Sequence, residues 1–170
     1  MKKISFLLIF IFVFSILAVY AQVGSRHFEH SGNYSICPPR GWTPDNLPGS
    51  TYTIFTGPTV NGFTPSMNVE DEVYRGTLAD HIDNSINQLR TYIPDAKISG
   101  REVFRTTSGL SGFTYFMVFN MAGIDMHIVQ YVFTTANQRS YIITYGASVD
   151  TIRNLQHIFD ESARTFEFIR

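Results

Sequence analysis

Residues 111–147 read SGFTYFMVFNMAGIDMHIVQYVFTTANQRSYIITYGA, and this stretch decides the fold. It contains three extended runs, Ser111 to Met121, Ile124 to Thr135 and Ser140 to Ala147, each rich in aromatic and β-branched residues. Ala122-Gly123 and Ala136-Asn137-Gln138 separate them with turn chemistry, so consecutive runs are expected to fold back as antiparallel hairpins. In the first run Phe113, Tyr115, Met117 and Phe119 share one face by the two-residue period, while Phe116 and Val118 share the other. A strand apolar on both faces is expected to be central and covered on both sides.

Upstream, Ile98 to Thr106 is a fourth run, joined through Gly109, which extends the meander. Before it comes a helix. Leu78, Ile82, Ile86, Leu89 and Ile93 recur at three- and four-residue spacings and form one stripe. Thr77 with Asp80 three residues on is a carboxylate variant of the capping box, and Pro94 stops the helix. Asp80, Asp83, Asn87 and Arg90 are left to water. Further upstream, Tyr34 and Ile36 mark a short strand closed by Pro38-Pro39 and a Gly41-Trp42 turn. Thr51 to Phe55 is a second strand, stopped by Gly57-Pro58, and Ser66 to Tyr74 a third, with Met67, Val69, Asp71 and Val73 on one face.

Downstream, a helix from about Asp150 turns Ile152, Leu155, Phe159 and Ala163 inward, and Phe166 and Phe168 then alternate as a closing strand would. The expected class is α+β, an antiparallel β-sheet of about six to seven strands packed with two main helices, one on each face or both on one.

The first 21 residues read as an address. Lys2 and Lys3 precede an apolar run from Ile4 to Leu17, and Val19 and Ala21 occupy the −3 and −1 positions of a signal-peptidase site. Cleavage after Ala21 would leave residues 22–170 in the periplasm or secreted. The alternative is an N-terminally membrane-anchored chain, although residues 4–21 fall slightly short of the ~20 apolar residues a spanning helix needs. Gln22, not cysteine, follows Ala21, so the lipoprotein signature is missing. No second segment is long and apolar enough to span a membrane. Residues 22–32 are polar and read as a flexible tether; residues 33–170 read as a single domain without linker or repeat.

Cys37 is the only cysteine, so no internal disulfide can form, and beside Ile36 it reads as a small buried hydrophobe. Removing Lys2 and Lys3 from 13 basic residues leaves 11 against 14 acidic ones, a net of −3. With the charges mixed along the chain, that balance gives no case for nucleic acid.

No catalytic constellation emerges, and no cofactor is implied. Gly109-Leu110-Ser111-Gly112 lacks the spacing of a phosphate loop or of a nucleophile elbow. His27, Glu29 and His30 have ligand chemistry but lie in the expected tether, and are read as a solvated tail rather than a metal set. Asp80-His81 and His157 with Asp160 flank apolar helix stripes and are read as surface or boundary residues. Glu70 and Glu72 point one way from their strand and Asp71 the other. The pair is the first candidate for recognising a basic partner, with a solvated or salt-bridged edge as the plainer reading. Trp42, Phe55 and Phe63 each sit beside Gly or in a Gly/Pro-rich loop. They are expected either to pin loops to the core, the preferred reading, or to present an apolar surface; Trp42 and Phe63 are the binding candidates.

Tyr34-x-Ile36-x-Pro38-x-x-Gly41-Trp42 resembles the opening of PsbP-like domains, the group that includes the photosystem II extrinsic protein and bacterial DcrB-type envelope proteins. Phe55-Thr56-Gly57-Pro58, Asn68-Val69, Leu78 to Tyr92, Arg139-x-Tyr141-x-Ile143-Thr144-Tyr145 and Phe159-x-x-Ser162-x-x-Thr165-Phe166-x-Phe168 are similar to its later elements. The resemblance spans residues 33–170 and implies an antiparallel sheet packed between helices, with no shared enzymatic activity. Relatives act as accessory or docking subunits. The resulting expectation is a non-catalytic exported adaptor that binds another envelope protein. The alternative is a carrier of a small apolar ligand between sheet and helix.

Overall fold

The computed structural model describes residues 22–46 and 48–169; the address expected at residues 1–21 lies outside the described residues. The strands in chain order are β1 (His27–Glu29), β2 (Tyr34–Ile36), β3 (Thr43–Asp45), β4 (Ile54–Thr56), β5 (Ser66–Val73), β6 (Lys97–Arg105), β7 (Ser111–Met121), β8 (Ile124–Thr134), β9 (Arg139–Ser148) and β10 (Glu167–Phe168). The helices are α1 (Leu78–Tyr92) and α2 (Val149–Arg164).

The meander expected from residues 98–147 is present: β6, β7, β8 and β9 are hydrogen-bonded in that order, all antiparallel. The full seven-stranded order is β3-β4-β5-β9-β8-β7-β6, and β1-β2-β10 form a separate three-stranded sheet. From β5 the chain must reach β6 at the far edge, four strand spacings away, which is about 19 Å. A helix of 15 residues covers about 22 Å, so α1 is the right length to cross that face.

Strand period then sorts the core. Tyr115, Val132 and Ile142 face α1 and pack with Ile82, Ile86 and Leu89. Met67, Val69, Val129, Tyr131, Ile143 and Tyr145 face the opposite way, toward Phe159 and Ala163 of α2 and Tyr34 and Ile36 of β2. One helix therefore lies on each face, the first of the two arrangements expected. The α2 side is filled by aromatic pairs: Tyr145 on Phe159 at 4.7 Å between centroids, Phe133 on Phe166 at 5.4 Å, and Tyr34 on Phe166 at 5.5 Å. Offset and edge contacts of this kind add about 0.5–1.5 kcal/mol per pair beyond burial.

Four expectations need correction. Residues 22–32 are not a loose tether: β1 pairs with β2, and Val23 bridges to Pro39. The anchor is polar, because Arg26 Nη1 bonds Ser35 Oγ at 2.9 Å, the Thr165 carbonyl at 3.1 Å and Glu167 at 2.8 Å. β7 is covered on both faces but is not central; β9 holds the middle, and β7 lies next to the outer strand β6. The second strand begins at Ile54 rather than Thr51, leaving Tyr52 to bond Asp71 from a loop. β3 appears where only a turn was expected.

Candidate functional site

Three connections meet at one end of the seven-stranded sheet. The first is the loop between β4 and β5, residues 57–65. Within it Val60 and Phe63 exchange backbone hydrogen bonds of 2.8 and 3.0 Å around Asn61 and Gly62. Both central residues have positive φ, 51° and 77°, the signature of a tight Asn-Gly hairpin turn. The second is the β7–β8 turn, where Ala122 and Gly123 are also at positive φ, 52° and 86°, and Met121 pairs with Ile124. The third is the junction of β9 and α2 at Ser148 to Asp150.

Phe63, Ile124 and Val149 line a shallow groove of about 270 Å³ between these connections, with Asn61, Asp125 and Asp150 around it. Val60 (43% exposed), Met121 (54%), Ile124 (39%) and Val149 (37%) are four of the eight large hydrophobic residues that the described chain leaves in water. Strand pairing fixes the other two beside the groove, since Val60 faces Phe63 and Met121 faces Ile124. Asp125 accepts a hydrogen bond from Asn120 Nδ2 at 2.8 Å; among the described residues neither Asp125 nor Asp150 has a cationic partner.

Trp42 lies beneath the same loop rather than on its surface. It is 8% exposed and stands edge-on to Phe159 at 5.8 Å. Its indole packs so closely on Gly57 that a Cβ at that position would lie 2.6 Å from Nε1, and Gly57 N–H donates to the Pro65 carbonyl at 2.8 Å to close the loop. Phe55 is buried as well. Trp42 and Phe55 therefore pin, and Phe63, half-buried in the loop they support, is the aromatic that reaches the surface.

Glu70 and Glu72 do share a face of β5, but about 13 and 20 Å along the strand from Ser66 at the loop end. Both are engaged internally. Glu72 Oε1 sits 2.5 Å from His81 Nε2, and Glu70 Oε1 accepts from Asn68 Nδ2 at 3.1 Å. On the opposite face Asp71 is held by Arg139 and Tyr52. The acidic triplet thus acts largely as an anchor for its neighbours. His81 is not at the surface: it is 2% exposed and stacked on Tyr74 at 4.5 Å. The Glu72 carboxylate supplies the partner that a helix-only reading of the sequence omits. His157 is exposed, and Asp160 instead accepts a bond from Tyr131, whose hydroxyl burial pushes well above the usual tyrosine range.

Among the described residues no group of three or more His, Cys, Asp or Glu is placed to hold a metal ion. Three larger grooves, of about 380, 420 and 730 Å³, open at the surface between loops and short strands. None of the three lies between the seven-stranded sheet and a helix; aromatic pairs fill that space on the α2 side, and Ile82, Ile86 and Leu89 pack on Tyr115, Val132 and Ile142 on the α1 side.

The solved structures that resemble this chain agree with that architecture. Cyanobacterial PsbP (CyanoP) from Synechocystis superposes with a TM-score of 0.64 at 15% identity, covering 88% of this chain and 95% of that one. The chain has the PsbP-like fold. LpqN, involved in cell envelope biogenesis of Mycobacterium tuberculosis, shares the PsbP-like arrangement at TM-score 0.60 and 14% identity over 86% of each chain. PA94 from Pseudomonas aeruginosa does so at 0.59 and 14%, over 83% of this chain and 94% of that one. No protein-family model matches the chain, and no curated relative does. At these identities the PsbP-like likeness establishes the scaffold alone.

Asn61-Gly62 was the missed signal. That dipeptide is the strongest short hairpin cue in a sequence, and it would have placed Val60 and Phe63 together on an exposed tip.

Proposed function

We propose that this protein is an exported, non-catalytic adaptor that docks another envelope protein on the loop end built by Phe63, Ile124 and Val149. The observation that carries the reading is the convergence there of four of the eight exposed large hydrophobic residues of the described chain, whereas Phe28, Val73, Tyr92 and Val103 lie on other elements. The export signal read at residues 1–21 and the likeness to LpqN support an envelope address. No described helix is long and apolar enough to cross a membrane.

The groove is the size of one large side chain, and its rim carries two carboxylates without a cationic partner. The partner segment it suits presents an aromatic or leucine side chain next to a lysine or arginine. Glu70, farther along the sheet, adds to the acidic field such a segment approaches, while Glu72 acts through His81.

The test is capture of crosslinked partners from the native envelope by the mature protein, comparing Phe63→Ser with the unaltered chain. Truncating a central aromatic anchor costs about 2 kcal/mol or more, so affinity for the captured partner should fall about 30-fold. Asp125→Asn with Asp150→Asn should weaken the salt dependence of binding rather than abolish it. Equal capture by the Phe63→Ser chain, with its fold intact by circular dichroism, would remove this surface from consideration.

A further inference from the structure

Away from the Phe63 groove, the N-terminal arm is tied to the fold by its backbone. The Gln22 carbonyl accepts the Arg40 N–H at 2.9 Å, Gly24 N–H donates to the Pro38 carbonyl at 2.7 Å, and Val23 bridges to Pro39. Backbone pairing therefore reaches Gln22 itself. Gln22 is half-buried, and its side-chain Oε1 is shut off from water without a hydrogen-bond donor among the described residues. Its backbone N–H donates to no described backbone group. Beside it runs the groove of about 730 Å³, floored by Trp42 and Phe55 and carrying Arg26 and Arg40 on its walls; no carboxylate lines it.

We propose that Gln22 is a modification site: once the chain is cut after Ala21, the new terminal glutamine closes to a pyroglutamyl lactam. The proposal rests on cleavage at that bond. The freed α-amino nitrogen attacks Cδ of its own side-chain amide. The N–Cδ bond forms, the Cδ–Nε2 bond breaks, and Nε2 leaves as ammonia, carrying a proton from the attacking amine. No oxidant or second reactant is required.

The setting favours the closed form. An α-ammonium fixed to the fold here would stand near Arg40, which has no carboxylate partner among the described residues, while Arg26 is already paired with Glu167; a half-buried unpaired charge is costly. The same field favours the free amine, the species that attacks, because the α-amino group already titrates near neutral pH, at about 7.7–8.0. Ring closure removes the charge and leaves a compact neutral end against Val23 and Pro39. The side-chain amide is folded back onto the protein instead of extending into water, and a five-membered closure needs a folded-back amide. The product lacks a free terminal amine, so aminopeptidases have no handle on β1 and the Arg26 anchor that follow it.

The experiment is mass spectrometry of the full protein isolated from its own envelope and quenched directly in acid, so that closure during purification is not counted. The expected N-terminal peptide begins at residue 22, is lighter than the encoded peptide by one ammonia, and resists Edman degradation until treated with pyroglutamyl aminopeptidase. Gln22→Ala, cut at the same bond, should show an open amine. A peptide beginning with an unmodified Gln22 would overturn the lactam while leaving the cleavage site standing. A chain that begins elsewhere, or that retains residues 1–21, would overturn both.

Discussion

His127 shows how one side chain can set a pH limit on the fold. It lies on β8 facing the α2 side, edge-on to Phe116 at 5.8 Å, and its Nε2 is buried without a partner among the described residues. Burial disfavours the imidazolium and holds the group below its usual value. In the unfolded chain it titrates near 6.5, so between the depressed folded value and about 6.5 the unfolded state binds more protons. Stability contributed by the neutral ring is complete above that window and is lost as pH falls through it. His127→Leu should remove this part of the acid slope. It should also stabilise the protein by about 1 kcal/mol at pH 7, since an orphaned buried polar atom is replaced by an apolar group. Thermal unfolding from pH 5 to 7 checks both; parallel curves for the two proteins would show that His127 is not the group responsible. Neither His127 nor His81 could be assigned its environment from sequence. For His81 the missing fact was a carboxylate nine residues upstream on another element, Glu72, and no helical period encodes that.

Elements were legible where they were long enough to show a period. The stripe from Leu78 to Leu89 repeats over three turns, and its start is written twice. The Thr77 hydroxyl accepts from Asp80 N–H at 3.1 Å, while the Asp80 carboxylate accepts from Thr77 N–H at 3.3 Å. The side-chain bond from the Thr77 hydroxyl, followed by the backbone bond, holds the Asp80 carboxyl below its usual range. A depressed carboxylate contributes stability that is present above its unfolded value and is lost as pH falls through the folded one. Thr77→Ala should therefore cost about 1 kcal/mol at neutral pH and also flatten the acid limb. Urea denaturation at pH 7 and pH 3 reads both effects; a cost that does not shrink at pH 3 would argue against the reciprocal cap. By contrast, β1 and β3 have three residues each, too few for alternation to register. β1 is held by Arg26 and by pairing with Tyr34 to Ile36, while β3 is a strand only because β4 passes beside it. Tertiary context, absent from a local window, makes both.

At the scale of the whole molecule, the two edges of the large sheet explain why a partner would be met by loops. β3 offers three exposed residues with Pro44 in the middle, and proline has no N–H to give an added strand. β6 is longer, and its pairing slips between Ser99 and Glu102, where Gly100 at φ 69° packs against Phe116. Arg101, in the bulge, pairs with Asp83 at 2.8 Å and lies over the Phe113 ring, and Lys97, Glu102 and Arg105 place further charges along the strand. Bulge and charge are the two usual ways of keeping an edge from templating another chain. The meander itself was readable because each hairpin is local, but the blocked edges were not: which strand ends outermost depends on α1 carrying the chain across to β6, a long-range outcome. That defence can be dismantled. Arg101→Val with Glu102→Val leaves an uncharged, β-prone run over residues 101–104 on an unpaired edge that already exposes Val103. The double variant should fold, because it leaves the Ile82, Tyr115 and Val132 packing in place, and it should self-associate more strongly as concentration rises. Sedimentation velocity over a concentration series measures this. If the variant sediments as the native chain does at every concentration, the charges at the bulge are not what keeps this edge closed, and strand addition at β6 becomes a competing route for the partner that we assign to the Phe63 end.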